Sequence, residues 1–142
     1  MKESYSMYSF LLDRTARRVK QYAQRRFKEL GFNITVDQWL VLRHLLENND
    51  LSQRELAGRI FKDTPTLTRI IDLLCTKGLT ERKIHAEDRR CFNVHLTAEG
   101  SELVTNLRPQ IRDVRLKAWE GLSDKDFEEF QRILNCIYHN LE

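Results

Sequence analysis

A mainly α-helical fold with one small β-hairpin is what this 142-residue sequence predicts, and three observations carry the expectation. Apolar residues recur at helical spacing through most of the chain. Three helix starts repeat one device, a capping residue framed by two hydrophobics that staple across it. The period shortens to two only between residues 80 and 96. Five glycines and two prolines, with no repeat, low-complexity run or linker-like stretch, predict one continuous domain. A hydrophobic content of 41% is enough for a core without disulfides or metals.

The first long helix runs through Tyr8, Leu11, Leu12, Ala16, Val19, Ala23, Phe27 and Leu30 and stops at Gly31, a residue suited to a left-handed helix end. Ile34 and Trp39 frame the box Thr35 to Gln38, Leu51 and Leu56 frame Ser52 to Glu55, and Leu122 and Phe127 frame Ser123 with Asp126. Helices are therefore expected to begin near residues 35, 52 and 123. Thr64, pushed out of the α region by Pro65, suits an N-cap with proline at the first helical position. That helix continues through Leu67, Ile70, Ile71 and Leu74 to Gly78, where Leu79 closes a Schellman-type contact on Leu74.

Ile84, Phe92, Val94 and Leu96 flank the charged stretch Ala86 to Arg90 and read as a hairpin. Two strands alone are marginal in water, so it must lean on the preceding helices. Thr97 caps a further helix with Leu103, Leu107, Ile111, Val114 and Ala118 on one stripe, kinked rather than broken at Pro109. The last helix carries Phe127, Phe130, Ile133, Leu134, Ile137, Tyr138 and Leu141. That is more apolar surface than the end of a small monomer needs, and predicts that something else covers it.

Composition narrows the function classes. No apolar run exceeds four residues, which predicts neither a membrane span nor a secretory leader, and a cytoplasmic protein. Cys75, Cys91 and Cys136 are odd in number and lack C-x-x-C spacing, as suits a reducing compartment. His44, His85, His95 and His139 form no ligand pair, so neither metal nor cofactor is expected. An enzyme built on Cys91 and His95 fares poorly, since four residues along a strand separate them by roughly 13 Å. Net charge is only +3, but residues 1 to 30 carry eight Lys/Arg against three acids and residues 52 to 95 carry nine against six. Residues 96 to 142 reverse this with six against nine, so basic charge is concentrated away from the C-terminus.

The order of elements from the capped helix at Ser52 through the tight turn, second helix and hairpin is the plan of a winged helix-turn-helix. Within it, L-S-Q-R-E-L-A (51 to 57), T-L-T-R-I-I-D (66 to 72), K-G-L-T-E-R (77 to 82), D-R-R (88 to 90) and L-T-A-E-G (96 to 100) resemble the MarR family of bacterial regulators, in order and at family-like spacing. The helical framework extends the resemblance over nearly the whole chain. It implies a single domain in which residues 35–100 form a DNA-binding lobe and residues 1–34 and 101–142 a helical dimerisation region. It also implies a homodimer on a near-palindromic site in double-stranded DNA, with repression the commoner outcome.

The chemistry of the second helix of the motif suits that expectation. Thr64, Thr66 and Thr68 offer hydroxyls and methyls, and Arg69 a guanidinium that matches guanine or a phosphate. By resemblance Ser52, Gln53 and Arg54 face the phosphate backbone, and Arg82 flanks the wing beside Lys83. Asp88, Arg89 and Arg90 form its tip, where an arginine enters a narrow minor groove. In one departure, Phe61, Lys62 and Asp63 occupy the turn where the family often has a glycine; Phe61 is expected to anchor that turn in the core. Basic residues of the first helix (Arg14, Arg17, Arg18, Lys20, Arg25, Arg26) read as a solvated face.

The resemblance further implies a small-molecule effector, whose identity no residue reveals; Trp39, His44, Arg14 and Arg18 are the candidates for a pocket. Two alternatives stay open: a winged-helix protein-interaction module that does not bind DNA, and a redox-responsive regulator acting through Cys75 or Cys91.

Overall fold

Short-range capping bonds decide where the helices begin. The computed structural model describes residues 2–84, 87 and 91–142. In chain order these form α1 (Lys2–Tyr5), α2 (Tyr8–Glu29), α3 (Val36–Glu47), β1 (Leu51–Ser52), α4 (Gln53–Ile60), α5 (Thr64–Thr76), β2 (Thr80–Ile84), β3 (Phe92–Leu96), α6 (Ala98–Leu116), a 3-10 turn (Lys117–Trp119) and α7 (Asp124–Asn140). Thr35, Ser52, Thr97 and Ser123 each accept a hydrogen bond from the backbone N–H three residues on, and Gln38 and Asp126 complete reciprocal boxes. Gly31, at φ 75°, follows the end of α2. At the end of α5, Leu79 N–H donates to the Leu74 carbonyl and Gly78 N–H to that of Cys75, the expected Schellman closure.

The start of α5 differs from expectation. Its N-cap is Asp63, whose Oδ1 accepts from Thr66 N–H at 2.8 Å, and Thr64 is already helical. Proline at the second helical position is equally free of penalty, because first-turn N–H groups have no intrahelical acceptor. Phe61 also departs from its expected place in the core, being 76% exposed at the left-handed end of α4.

The hairpin forms as an antiparallel pair with Thr80 opposite Leu96 and Ile84 opposite Phe92. A two-residue third strand, β1, pairs Leu51 with Val94 and Ser52 with Asn93, giving the sheet order β1-β3-β2. Val94 is fully buried and Leu96 packs on the core, whereas Ile84 and Phe92 near the outer end are exposed. Among the described residues the hairpin therefore leans on the helices at its base.

One core joins the elements. Val41, Leu42 and Leu45 of α3 are fully buried at its centre, with Phe27, Leu56, Leu67, Ile71, Leu74 and Val104 around them. α6 runs unbroken through Pro109 and buries Val104, Leu107, Ile111 and Val114; Ala118 lies exposed beyond its end. The start of α6 meets the α5–β2 turn backbone to backbone. Thr97 N–H donates to the Leu79 carbonyl at 3.1 Å and its hydroxyl to the Gly78 carbonyl at 2.7 Å. A Cβ on Gly100 would stand 2.1 Å from that Leu79 oxygen. The T-x-x-G of the L-T-A-E-G segment is thus a docking device between α5 and α6.

The terminal helices are different. α7 contains no buried residue, and Trp119 meets it edge-to-face at Phe127 and Phe130. On α2 only Ala23 and Phe27 are buried, while Leu11, Leu12 and Val19 are exposed.

Asp37 of α3 ties α2 to the α4–α5 turn, with Lys20 Nζ at 3.0 Å and Lys62 Nζ at 3.3 Å. Partial burial alone raises its carboxyl, but the hydrogen bond and charge of Lys20, with those of Lys62, outweigh burial and hold it below the usual carboxylate range. A lowered native pKa stabilises the fold above the unfolded value of about 4 and is lost as pH falls through the native one. Acid titration of unfolding free energy should therefore show Asp37→Asn less stable than the parent near neutrality, with the difference shrinking as the pH falls below the unfolded carboxylate value of about 4. A difference that stays constant through that fall would contradict the linkage.

Candidate nucleic-acid interface

α4, α5 and the hairpin form one braced unit, and Arg82 is its brace. From β2, Arg82 sends Nη1 to Asp72 Oδ1 of α5 at 2.7 Å, Nε to Gln53 Oε1 of α4 at 2.7 Å and Nη2 to the Thr68 carbonyl at 3.4 Å. Gln53 completes the triangle by donating Nε2 to Thr68 Oγ1 at 3.4 Å. The Arg82 side chain is 25% exposed, and all three of its nitrogens have acceptors. Charge-assisted bonds of this kind are about twice as strong as neutral ones, so they set the angle between hairpin and helix. Sequence reasoning put Arg82 beside the wing as an outward contact and missed Asp72 altogether.

Two further ties fix the unit to its surroundings. Asp50, at φ 71°, accepts from Asn93 Nδ2 at 2.6 Å and lies 3.1 Å from His95 Nε2, joining the α3–β1 loop to β3. Lys77 Nζ donates to the Asn33 carbonyl and to Gln38 Oε1, joining the end of α5 to the start of α3. His95 is thus engaged with Asp50.

The outward groups are fewer than the sequence suggested. Ser52 is buried, its hydroxyl accepting from Glu55 N–H and donating to Glu55 Oε1, both at 3.1 Å. Arg54, Thr64 and Arg69 are exposed, Thr66 and Thr68 partly so. Thr66 Oγ1 donates to Asp63 Oδ2 at 2.9 Å and Thr68 Oγ1 to the Thr64 carbonyl at 2.9 Å. Each hydroxyl has one proton, so outward these two present acceptor lone pairs and a methyl group. Asp63, bonded by the Thr66 backbone and hydroxyl and near the Arg69 charge, is held below the usual carboxylate range. Its carboxylate already occupies the N-terminus of α5.

The hairpin is paired out to Ile84 and Phe92; Asp88, Arg89 and Arg90 lie outside the described residues. Cys75 is half-buried with Sγ 3.3 Å from Thr80 Oγ1, and Cys91 is exposed. Trp39 faces a cavity between α3 and α6, Arg18 one between α2 and α6, His44 Nδ1 lies 2.8 Å from the Leu40 carbonyl, and Arg14 stacks over Phe10. Among the described residues no group of three or more His, Cys, Asp or Glu is placed to hold a metal ion, and no helix is long and apolar enough to cross a membrane.

Comparison with known proteins places this geometry. The MarR family model matches residues 34–92, the stretch from the start of α3 to the start of β3. The HTH-type transcriptional repressor IacR of Pseudomonas putida is 27% identical over 141 residues, covering 99% of this chain and 82% of that protein. Among solved structures, the S. aureus MepR–DNA complex is 25% identical with a TM-score of 0.81, over 94% of this chain and 97% of that one. The transcriptional regulator PA3341 is 32% identical with a TM-score of 0.80, again over 94% and 97%. With the winged helix-turn-helix formed and sequence similarity running through nearly its whole length, the chain belongs to the MarR family of transcriptional regulators.

Proposed function

We propose that this chain binds double-stranded DNA as a two-fold homodimer and represses transcription from a near-palindromic operator. The observation that carries the reading is the braced α4–α5–hairpin unit, in which Arg54, Thr64 and Arg69 are exposed. Similarity to the MepR–DNA complex and to the repressor IacR supports it. In this reading residues 35–100 are the DNA-binding lobe, and residues 1–34 and 101–142 the dimerisation region. Arg69 meets a base edge or phosphate, Arg54 meets phosphate, and Arg89 and Arg90 carry the wing into the minor groove beside Asp88. Thr66 and Thr68, with their protons engaged, suit base amino groups and thymine methyls better than phosphates. Ser52, Gln53 and Arg82 hold the frame.

The homodimer is supported by apolar surface that the single chain leaves open. Leu11, Leu12 and Val19 on α2 and Phe130, Ile133 and Ile137 on α7 line a groove of about 700 Å³. A partner copy fills it in this reading, and a two-fold dimer on DNA is expected to present its two α5 helices about 34 Å apart, one turn of the duplex.

A small anionic effector is supported by the cavity of about 570 Å³ between α3 and α6, which gathers Arg43, Arg108, Arg112 and Arg115 beside Trp39. Desolvation, and then the charge of Arg43, hold the Arg115 pKa below its ordinary value.

Selection of bound fragments from genomic DNA by the purified protein tests the reading, with symmetric half-sites the expected product. On the selected site, log affinity should fall against log salt with a slope of about −0.9 per neutralised phosphate, and Arg90→Ala should weaken binding with the dimer intact. Recovery of no preferred duplex, or binding indifferent to salt, overturns the reading.

A further inference from the structure

No ordinary reason puts Phe61 where it is. It has φ 56° and ψ 42°, the left-handed region where glycine sits freely and a side chain is strained, and it is 76% exposed. Neither backbone preference nor burial accounts for an aromatic there. What its ring does touch is Tyr138 near the end of α7, edge-to-face with centroids 6.3 Å apart and planes at 84°. The next residue, Lys62, reaches Asp37, which also holds Lys20 of α2. The residue after that, Asp63, caps α5. Three consecutive residues thus bind, in turn, the last helix, the α2–α3 pair and the helix carrying Arg69.

From this geometry we infer that Phe61 is a positioning residue: with Tyr138 it ties the α4–α5 turn to α7, so that displacement of the terminal helices shifts the N-terminus of α5. On a duplex the tie sets which half-site spacing is accepted. Only that consequence rests on the DNA-binding reading; the tie itself does not.

The test uses the full chain. Phe61→Gly removes the ring and relieves the left-handed strain, so loss of stability does not mask the result. Tyr138→Ala removes the ring from the other side at an exposed helix position, and Tyr138→Phe keeps it. Without DNA, hydrogen exchange should quicken several-fold at the amides of Lys62, Thr66 and Leu67 in Phe61→Gly and Tyr138→Ala alike. Tyr138→Phe should match the parent, and the double variant should go no further than either single one. On a random duplex library, both variants should keep the half-site sequence and accept a wider range of spacings. Parental exchange at those amides in Tyr138→Ala, or effects that simply add, overturns the tie. Spacing unchanged in both variants overturns its consequence. A parent that selects no duplex overturns DNA binding, while the exchange measurement still decides the tie.

Discussion

Gly100→Val is expected to destabilise the fold by about 3 kcal/mol, the upper end of overpacking penalties. The added Cβ would fall 2.1 Å from the Leu79 carbonyl oxygen, 3.0 Å from its carbon and 3.2 Å from Leu96 Cδ2. A flexible side chain could give way; this backbone cannot do so cheaply. The Leu79 carbonyl accepts from Thr97 N–H, Leu79 N–H closes the end of α5 on Leu74, and the Thr97 hydroxyl holds the Gly78 carbonyl. Relief requires lifting α6 away from the α5–β2 turn and breaking those bonds. Thermal unfolding should show a midpoint lowered by about 10 °C. Gly58→Ala is the internal contrast: within α4 its Cβ meets nothing within 4 Å, so it should stabilise by about 0.5–1 kcal/mol. A parental midpoint in Gly100→Val would refute the packing argument.

Arg69→Ala should have the largest effect on DNA affinity. A good arginine contact to a guanine edge is worth about 1–3 kcal/mol, and a two-fold complex contains two, so loss of about 2–6 kcal/mol is expected, or roughly 30-fold to more than 10,000-fold. Because Arg69 is exposed, the unfolding midpoint should barely move. Arg69→Lys separates two kinds of contact. Lysine keeps the charge but lacks the planar fork, so it should restore a phosphate contact and fail at a base edge. Titration of all three proteins against the selected duplex gives the answer, and parental affinity in Arg69→Ala would remove Arg69 from the interface.

What could be read in the sequence was local. Thr35, Ser52, Thr97 and Ser123 cap as expected because each bond spans three residues. The same logic misplaced one cap by a position, since Thr64 before Pro65 and Asp63 before Thr66 are both sound local solutions and Asp63 takes the bond. What eluded the sequence was non-local. β1 exists only because β3 lies beside Leu51 and Ser52. Arg82 looked like one more outward basic residue, but its acceptors come from α4 and α5. Phe61 reads as core by its chemistry, and only the left-handed end of α4 turns it outward.

On the DNA-binding reading proposed above, the Arg82 brace moves a mechanical burden onto the duplex. With hairpin and α5 held together through Asp72 and Thr68, the angle between those two elements is set within the protein. Any operator that engages both must supply the bend and twist itself. Base steps that neither element touches then influence affinity through stiffness alone, and flexible pyrimidine–purine steps are favoured where the helix axis must deflect.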